Sequence, residues 1–131
     1  MKAILHSDGG ARGNPGPAGI GAVLEIEGNK KLFKKYIGET TNNQAEYQAL
    51  LLGLEEALKE KVDEIDCFLD SELVVKQLNR EYKVKNKELA PLFVKIFNLS
   101  QLFKRITFKH VYREQNKEAD KLVNQAIDEN I

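Results

Sequence analysis

Four acidic residues stand where an acid needs a reason. Asp8 ends the short apolar run Ala3–Asp8, and Asp70 follows the strand-like run Glu64–Leu69. Glu46 lies in the first turn of an amphipathic stretch, beside Ala45 and Ala49, and Asp120 lies between Ala119 and Leu122 in another. Singly, each has an ordinary reading as a turn residue, a cap or a complement to a helix macrodipole. Together, several carboxylates brought into one cleft repel one another unless a cation neutralises them. Oxygen ligands with no His or Cys partner suit Mg²⁺ or Mn²⁺ and not zinc. An all-carboxylate cluster is also what two-metal phosphodiester hydrolysis requires, with the two ions about 3.5–4 Å apart.

The elements that must bring these acids together can be read from periodicity and turn chemistry. Ala3–Asp8 reads as a strand running into a turn at Gly9-Gly10, and Gly13-Asn14-Pro15-Gly16-Pro17 is a cluster foreign to a helix or a central strand. Gly19–Glu27 and Lys31–Ile37 are alternating runs divided by the hairpin signal Glu27-Gly28-Asn29. Thr40-Thr41-Asn42-Asn43 offers caps for a helix running from Ala45 to near Lys61. Asp70-Ser71 caps a second helix through Leu78, and Tyr82–Asn86 is a connecting loop. Leu89–Phe103 reads as a third helix with Pro91 in its first turn, Ile106–Val111 as a last strand and Asn116–Asp128 as a last helix. The order β-β-β-α-β-α-α-β-α predicts an α/β fold: a five-stranded mixed sheet, three antiparallel strands followed by parallel crossovers, with helices on both faces. If the first and fourth strands are parallel neighbours, Asp8 and Asp70 project from one edge, where such sheets bind ligands.

The residues around the acids resemble a known family. Asp8-Gly9-Gly10-Ala11-Arg12-Gly13-Asn14-Pro15-Gly16-Pro17-Ala18-Gly19 resembles the opening motif of the type 1 ribonucleases H, and Thr41-Asn42-Asn43-Gln44-Ala45-Glu46 with Ala49-Leu50 their second. Asp70-Ser71 with Val75 and Gln77-Leu78 resembles the third, and His110-Val111, Arg113-Glu114, Asn116 and Ala119-Asp120 the fourth. Four motifs in family order span nearly the whole chain. The resemblance implies an RNase H-like fold and an endonuclease that cuts the RNA strand of an RNA–DNA hybrid, leaving 5′-phosphate and 3′-hydroxyl ends. It implies Asp8, Glu46, Asp70 and Asp120 as ligands of two Mg²⁺ ions, with Mn²⁺ able to substitute. Glu46 is further implied to meet a ribose 2′-hydroxyl, the group that separates RNA from DNA. Gly9 and Gly10 would let the backbone approach the RNA. Arg12 falls within the first motif and is counted with them as a substrate contact. Asn14, Asn42, Asn43 and Gln44 match minor-groove contacts, and Thr41 with Asn86 matches a pocket for a DNA phosphate. The asparagines also read as turn and capping residues, and the two uses are compatible.

The chain departs from the family in two places. Many bacterial and animal members carry a histidine in the loop before the last helix, whereas here that loop is Tyr112-Arg113-Glu114-Gln115. His110 lies earlier, in the strand, and reads as structural, as does His6. Arg113 is then a candidate to hold the scissile phosphate or help product leave, against the plainer reading of a surface arginine paired with Glu114. The segment Asn79–Lys87 also leaves no room for the basic helix with which some members grip the hybrid. Arg80, Lys83, Lys85 and Lys87 are the modest cluster that remains.

Bulk properties narrow the class. The 131 residues, 42% hydrophobic and 31% charged, suit one globular domain spanning residues 1–131. Twenty basic and twenty acidic residues cancel, so net charge gives no argument for a nucleic-acid partner. No run approaches the roughly 20 apolar residues that span a bilayer, and the apolar stretch at the N-terminus is too short for a signal peptide. The lone Cys67 excludes an internal disulfide and reads as a buried strand thiol. The expectation is a cytoplasmic monomer with no membrane partner. Two competing readings are a non-catalytic nucleic-acid-binding module on the same fold and a related nuclease acting on double-stranded RNA or a DNA end.

Overall fold

Glu27 and Gly28 both adopt positive φ, 51° and 82°, as a two-residue hairpin turn matched to strand twist demands. The turn sets Ile26 opposite Asn29 and so fixes the register of the two strands it joins. In the computed structural model, which describes all residues from Met1 to Ile131, these are β2 (Gly16–Ile26) and β3 (Asn29–Thr40). They follow β1 (Lys2–Ala11) and precede α1 (Asn42–Lys59), β4 (Glu64–Leu69), α2 (Glu72–Leu78), α3 (Ala90–Ser100), β5 (Arg105–His110) and α4 (Lys117–Asp128). One turn of 3-10 helix at Arg113–Gln115 leads into α4. The sheet order is β3-β2-β1-β4-β5, antiparallel among the first three strands and parallel from β1 to β4 to β5. The predicted order and mixed sheet are thus observed.

Several boundaries moved. The first strand does not turn at Gly9-Gly10 but continues to Ala11, because Gly9, Gly10 and Ala11 pair with Ile20, Gly19 and Ala18. Gly16 and Pro17, assigned above to a cluster foreign to a central strand, open β2, which lies between β1 and β3. Proline is tolerated near a strand's start, and the Pro17 carbonyl still accepts from Arg12 N–H at 2.8 Å. The third helix stops at Ser100, short of Phe103, which is nevertheless buried.

α1 covers one face of the sheet. Leu50, Leu54 and Ala57 meet Leu5, Leu24, Ile65, Cys67 and Leu69 in the main core, where each large side chain removed from water contributes about 1.5–3 kcal/mol. α4 covers the other face, with Ala119 and Leu122 against Val23. It lies so close that a Cβ at Gly21 would stand 2.6 Å from the Ala119 carbonyl oxygen. Gly21 is therefore a contact surface for a helix backbone.

Candidate active site

Two strand ends and two helices converge at one edge of the sheet. β1 and β4 are in parallel register with Ser7 opposite Leu69, so Asp8 and Asp70 are the next residues level with each other. The conditional placement made from the sequence therefore holds. Side chains alternate along a strand. Gly10 faces Val123 of α4, so Asp8 shares that face, toward the helix carrying Asp120. Gly9 faces α1, whose start lies against it: a Cβ at Gly9 would stand 2.2 Å from the backbone C and O of Ala45. That approach lets Gly9 N–H donate to Glu46 Oε1 at 2.9 Å.

Carboxylate oxygens of Asp8, Glu46 and Asp70 lie within 4.8 Å of one another. Asp120 lines the same cleft of about 690 Å³, outside that trio. Asp8 and Glu46 are buried, at 7% and 6% exposure. Burial, with the charges of Asp70 and Asp120, pushes the Asp8 carboxyl from 3.8 to about 7. Glu46 is raised well above its ordinary value, first by burial and then by Asp8. Its Oε2 is buried without a hydrogen-bond partner, and an orphaned buried carboxylate oxygen is costly. Three oxygen donors at this spacing, one of them orphaned, fit a hard divalent cation.

Asp70 is held by a residue that the sequence marks only as part of the fourth motif. Asn116, 1% exposed, donates from Nδ2 to Asp70 Oδ2 at 3.1 Å and to the Ser7 carbonyl at 3.0 Å. Its signal was faint: a polar residue just before a helix, which ordinarily means a cap. Here the side chain makes no cap hydrogen bond.

The other expected site residues divide. Gly9, Gly10, Arg12, Asn42, Asn43 and Arg113 line the cleft with the four carboxylates. Asn14 and Asn42 are partly used inside the protein: Ala11 N–H donates to Asn42 Oδ1 at 2.8 Å, and Asn42 N–H donates to Asn14 Oδ1 at 3.0 Å. Their amide NH₂ groups remain as donors. Arg12 donates to Asp128 at 2.6 Å and to Asn124 at 3.3 Å, which ties its guanidinium to α4. Thr41 caps α1, its hydroxyl accepting from Gln44 N–H at 3.2 Å. Asn86 caps the entry to α3, accepting from Glu88 N–H at 2.7 Å. Neither Thr41, Gln44 nor Asn86 lines the acidic cleft. The Gln44 amide donates to Glu88, which joins the start of α1 to the Asn86 loop but places a carboxylate there as well. Arg113 is exposed and forms no ion pair with Glu114. His6 stacks on Phe68 at 5.1 Å and His110 meets the edge of Tyr112 at 5.4 Å, both away from the cleft.

Known proteins resemble this chain in sequence and in fold. Residues 6–126 match the family described as reverse transcriptase-like. A bifunctional protein of Mycobacterium tuberculosis is 43% identical over 131 residues, covering 98% of the chain but only 36% of that protein's own length. The crystal structure of RNase H1 from the halophilic archaeon Halobacterium salinarum superposes with a TM-score of 0.95 at 38% identity, covering 98% of this chain and 99% of that one. LC11-RNase H1, isolated from compost and solved in complex with an RNA/DNA hybrid, gives 0.91 at 47% identity over 97% of each chain. With four motifs in order, the same sheet and near-complete superposition, the chain belongs to the type 1 ribonuclease H family.

Proposed function

We propose that this chain is a ribonuclease H: it hydrolyses the RNA strand of RNA–DNA hybrids and leaves 5′-phosphate and 3′-hydroxyl ends. The observation that carries the reading is the cluster of Asp8, Glu46 and Asp70 oxygens within 4.8 Å, with Glu46 Oε2 orphaned. Asp8, Glu46, Asp70 and Asp120 would hold two Mg²⁺ ions, with Mn²⁺ as a substitute. Such ions, when bound, neutralise the carboxylates and supply Lewis acidity at the phosphodiester.

The chain's own residues do the rest. Asp8 and Asp70 present their carboxylates level with each other, and Gly9 N–H orients Glu46 toward them. Asn14, Asn42, Asn43 and Gln44 would meet the minor groove, beside Gly9, Gly10 and Arg12, with Thr41 and Asn86 at a DNA phosphate. Arg113, exposed at the cleft and unpaired with Glu114, would meet the scissile phosphate. Residues 1–131 would act as one catalytic domain, a monomer in the cytoplasm. No helix is long and apolar enough to cross a membrane.

One labelled RNA strand, paired in turn with DNA and with RNA, tests the reading. Cleavage of the hybrid alone, in Mg²⁺ and not in EDTA, is expected. Equal cutting of the all-RNA duplex would replace the substrate assignment. No cleavage of either in Mg²⁺ or Mn²⁺ would leave a binding module.

A further inference from the structure

The entry to α4 holds a buried amide that touches three of the four acid-bearing segments. Both Nδ2 protons of Asn116 are used, one on the Ser7 carbonyl of β1, immediately before Asp8, and one on Asp70 Oδ2 after β4. The Asn116 carbonyl accepts from Asp120 N–H at 3.0 Å, the first turn of α4. A primary amide has two N–H donors in one plane. It therefore spans acceptors on adjacent parallel strands, which a hydroxyl with one proton does not. Its orientation is set by chemistry as well: flipped, Oδ1 would face a carbonyl and a carboxylate, both acceptors. As placed, Oδ1 meets no hydrogen-bond donor of the protein itself.

We infer that Asn116 is a positioning residue for the metal centre. It fixes the Asp70 carboxylate by one oxygen so that the other is presented beside Asp8, and it ties that geometry to the segment carrying Asp120. Asn116 touches neither substrate nor reacting atoms in this role. The inference rests on the proposed function above. It concerns binding of the ions themselves, where partners behind a ligand typically change affinity about 10–100-fold.

The test is calorimetric titration of the full chain, wild type and Asn116→Ala, with Mg²⁺ and with Mn²⁺, in the absence of nucleic acid. Thermal unfolding in EDTA and hybrid cleavage against metal concentration are measured alongside. The expected result is divalent-ion affinity weakened about tenfold or more, a matching rise in the half-saturating Mg²⁺ for cleavage, and KM for the hybrid within twofold of wild type. Unaltered metal affinity with only a lowered unfolding temperature would make Asn116 a structural tie and overturn the inference. Asn116→Ser, which keeps one donor, is judged by the same two numbers if the alanine variant does not fold. Wild type that binds neither ion would remove the proposed function and this inference together; wild type that binds them while the variants match it would remove the inference alone.

Discussion

Replacing Asp8 with Asn should stabilise the metal-free protein above neutral pH and abolish its response to Mg²⁺. In the folded chain the Asp8 carboxyl is raised from 3.8 to about 7 by burial and by Asp70 and Asp120. Below pH 4 both folded and unfolded chains hold the proton, and Asp8 costs nothing. Between about pH 4 and 7 the folded chain keeps a proton that the unfolded chain has released, so stability falls as pH rises. Above pH 7 the charge is present in the fold at full cost. A little over three pH units, at about 1.4 kcal/mol each, makes that cost roughly 4 kcal/mol. This is an upper figure, because Glu46 shares the same strain and takes up part of any relief. For a domain of this size 1 kcal/mol moves Tm by about 4 °C, so Asp8→Asn in EDTA at pH 8 should unfold roughly 5–15 °C above wild type. At pH 4 the two should coincide. Asp63, Asp66 and Glu72 have lowered carboxyls, which favour folding as pH rises; they are common to both proteins and cancel in the difference. Adding Mg²⁺ at pH 8 should raise Tm of wild type, since a ligand of the folded state stabilises it by mass action, and leave the variant unmoved. The assay is thermal unfolding by circular dichroism across pH 4–8, with EDTA and with Mg²⁺. Equal Tm for the two proteins at pH 8 in EDTA, or an equal Mg²⁺ response, would refute the account of the cluster as repulsive carboxylates awaiting cations.

Three further substitutions separate packing from chemistry. Gly9→Ala places a Cβ 2.2 Å from the Ala45 backbone, so it should cost about 3 kcal/mol or more and lower activity by displacing Glu46. Gly10→Ala meets only Val123 Cγ1 at 3.7 Å, so unfolding measurements should find it near wild type; activity lost there would report close approach by substrate. Arg113→Ala should lower turnover several-fold with Tm and divalent-ion affinity unchanged, and unaltered turnover in single-turnover kinetics would remove Arg113 from the mechanism.

The site was more legible than its supports. Asp8, Glu46, Asp70 and Asp120 could be singled out because an acid at a strand end or on an inward helical face breaks a local pattern. The hairpin at Glu27-Gly28-Asn29 was legible for a similar reason, since turn residues have their own chemistry, but only strand pairing confines the turn to Glu27 and Gly28 and puts Asn29 in β3. Gly9 was misread: two adjacent glycines after a strand look like a turn, and nothing local reveals that α1 will lie against them. Pro17 was misread because its place in a central strand is decided by a partner strand remote in sequence. Asn14, Asn42 and Arg12 were legible as polar residues but not as residues already committed to one another and to α4.

Periodicity and turn residues determine the element order and pick out the four carboxylates, because these depend on neighbours one to four positions away, and the element order together with the motifs implies the mixed sheet. Tertiary structure alone decided how far the acids are from each other, that Glu46 keeps an orphaned oxygen, and that one amide at Asn116 spans β1 and Asp70. Those facts depend on the parallel register of strands about 60 residues apart and on helices resting on glycines. Such contacts are set by the packing of the whole sheet, for which no local stretch of sequence carries a signal.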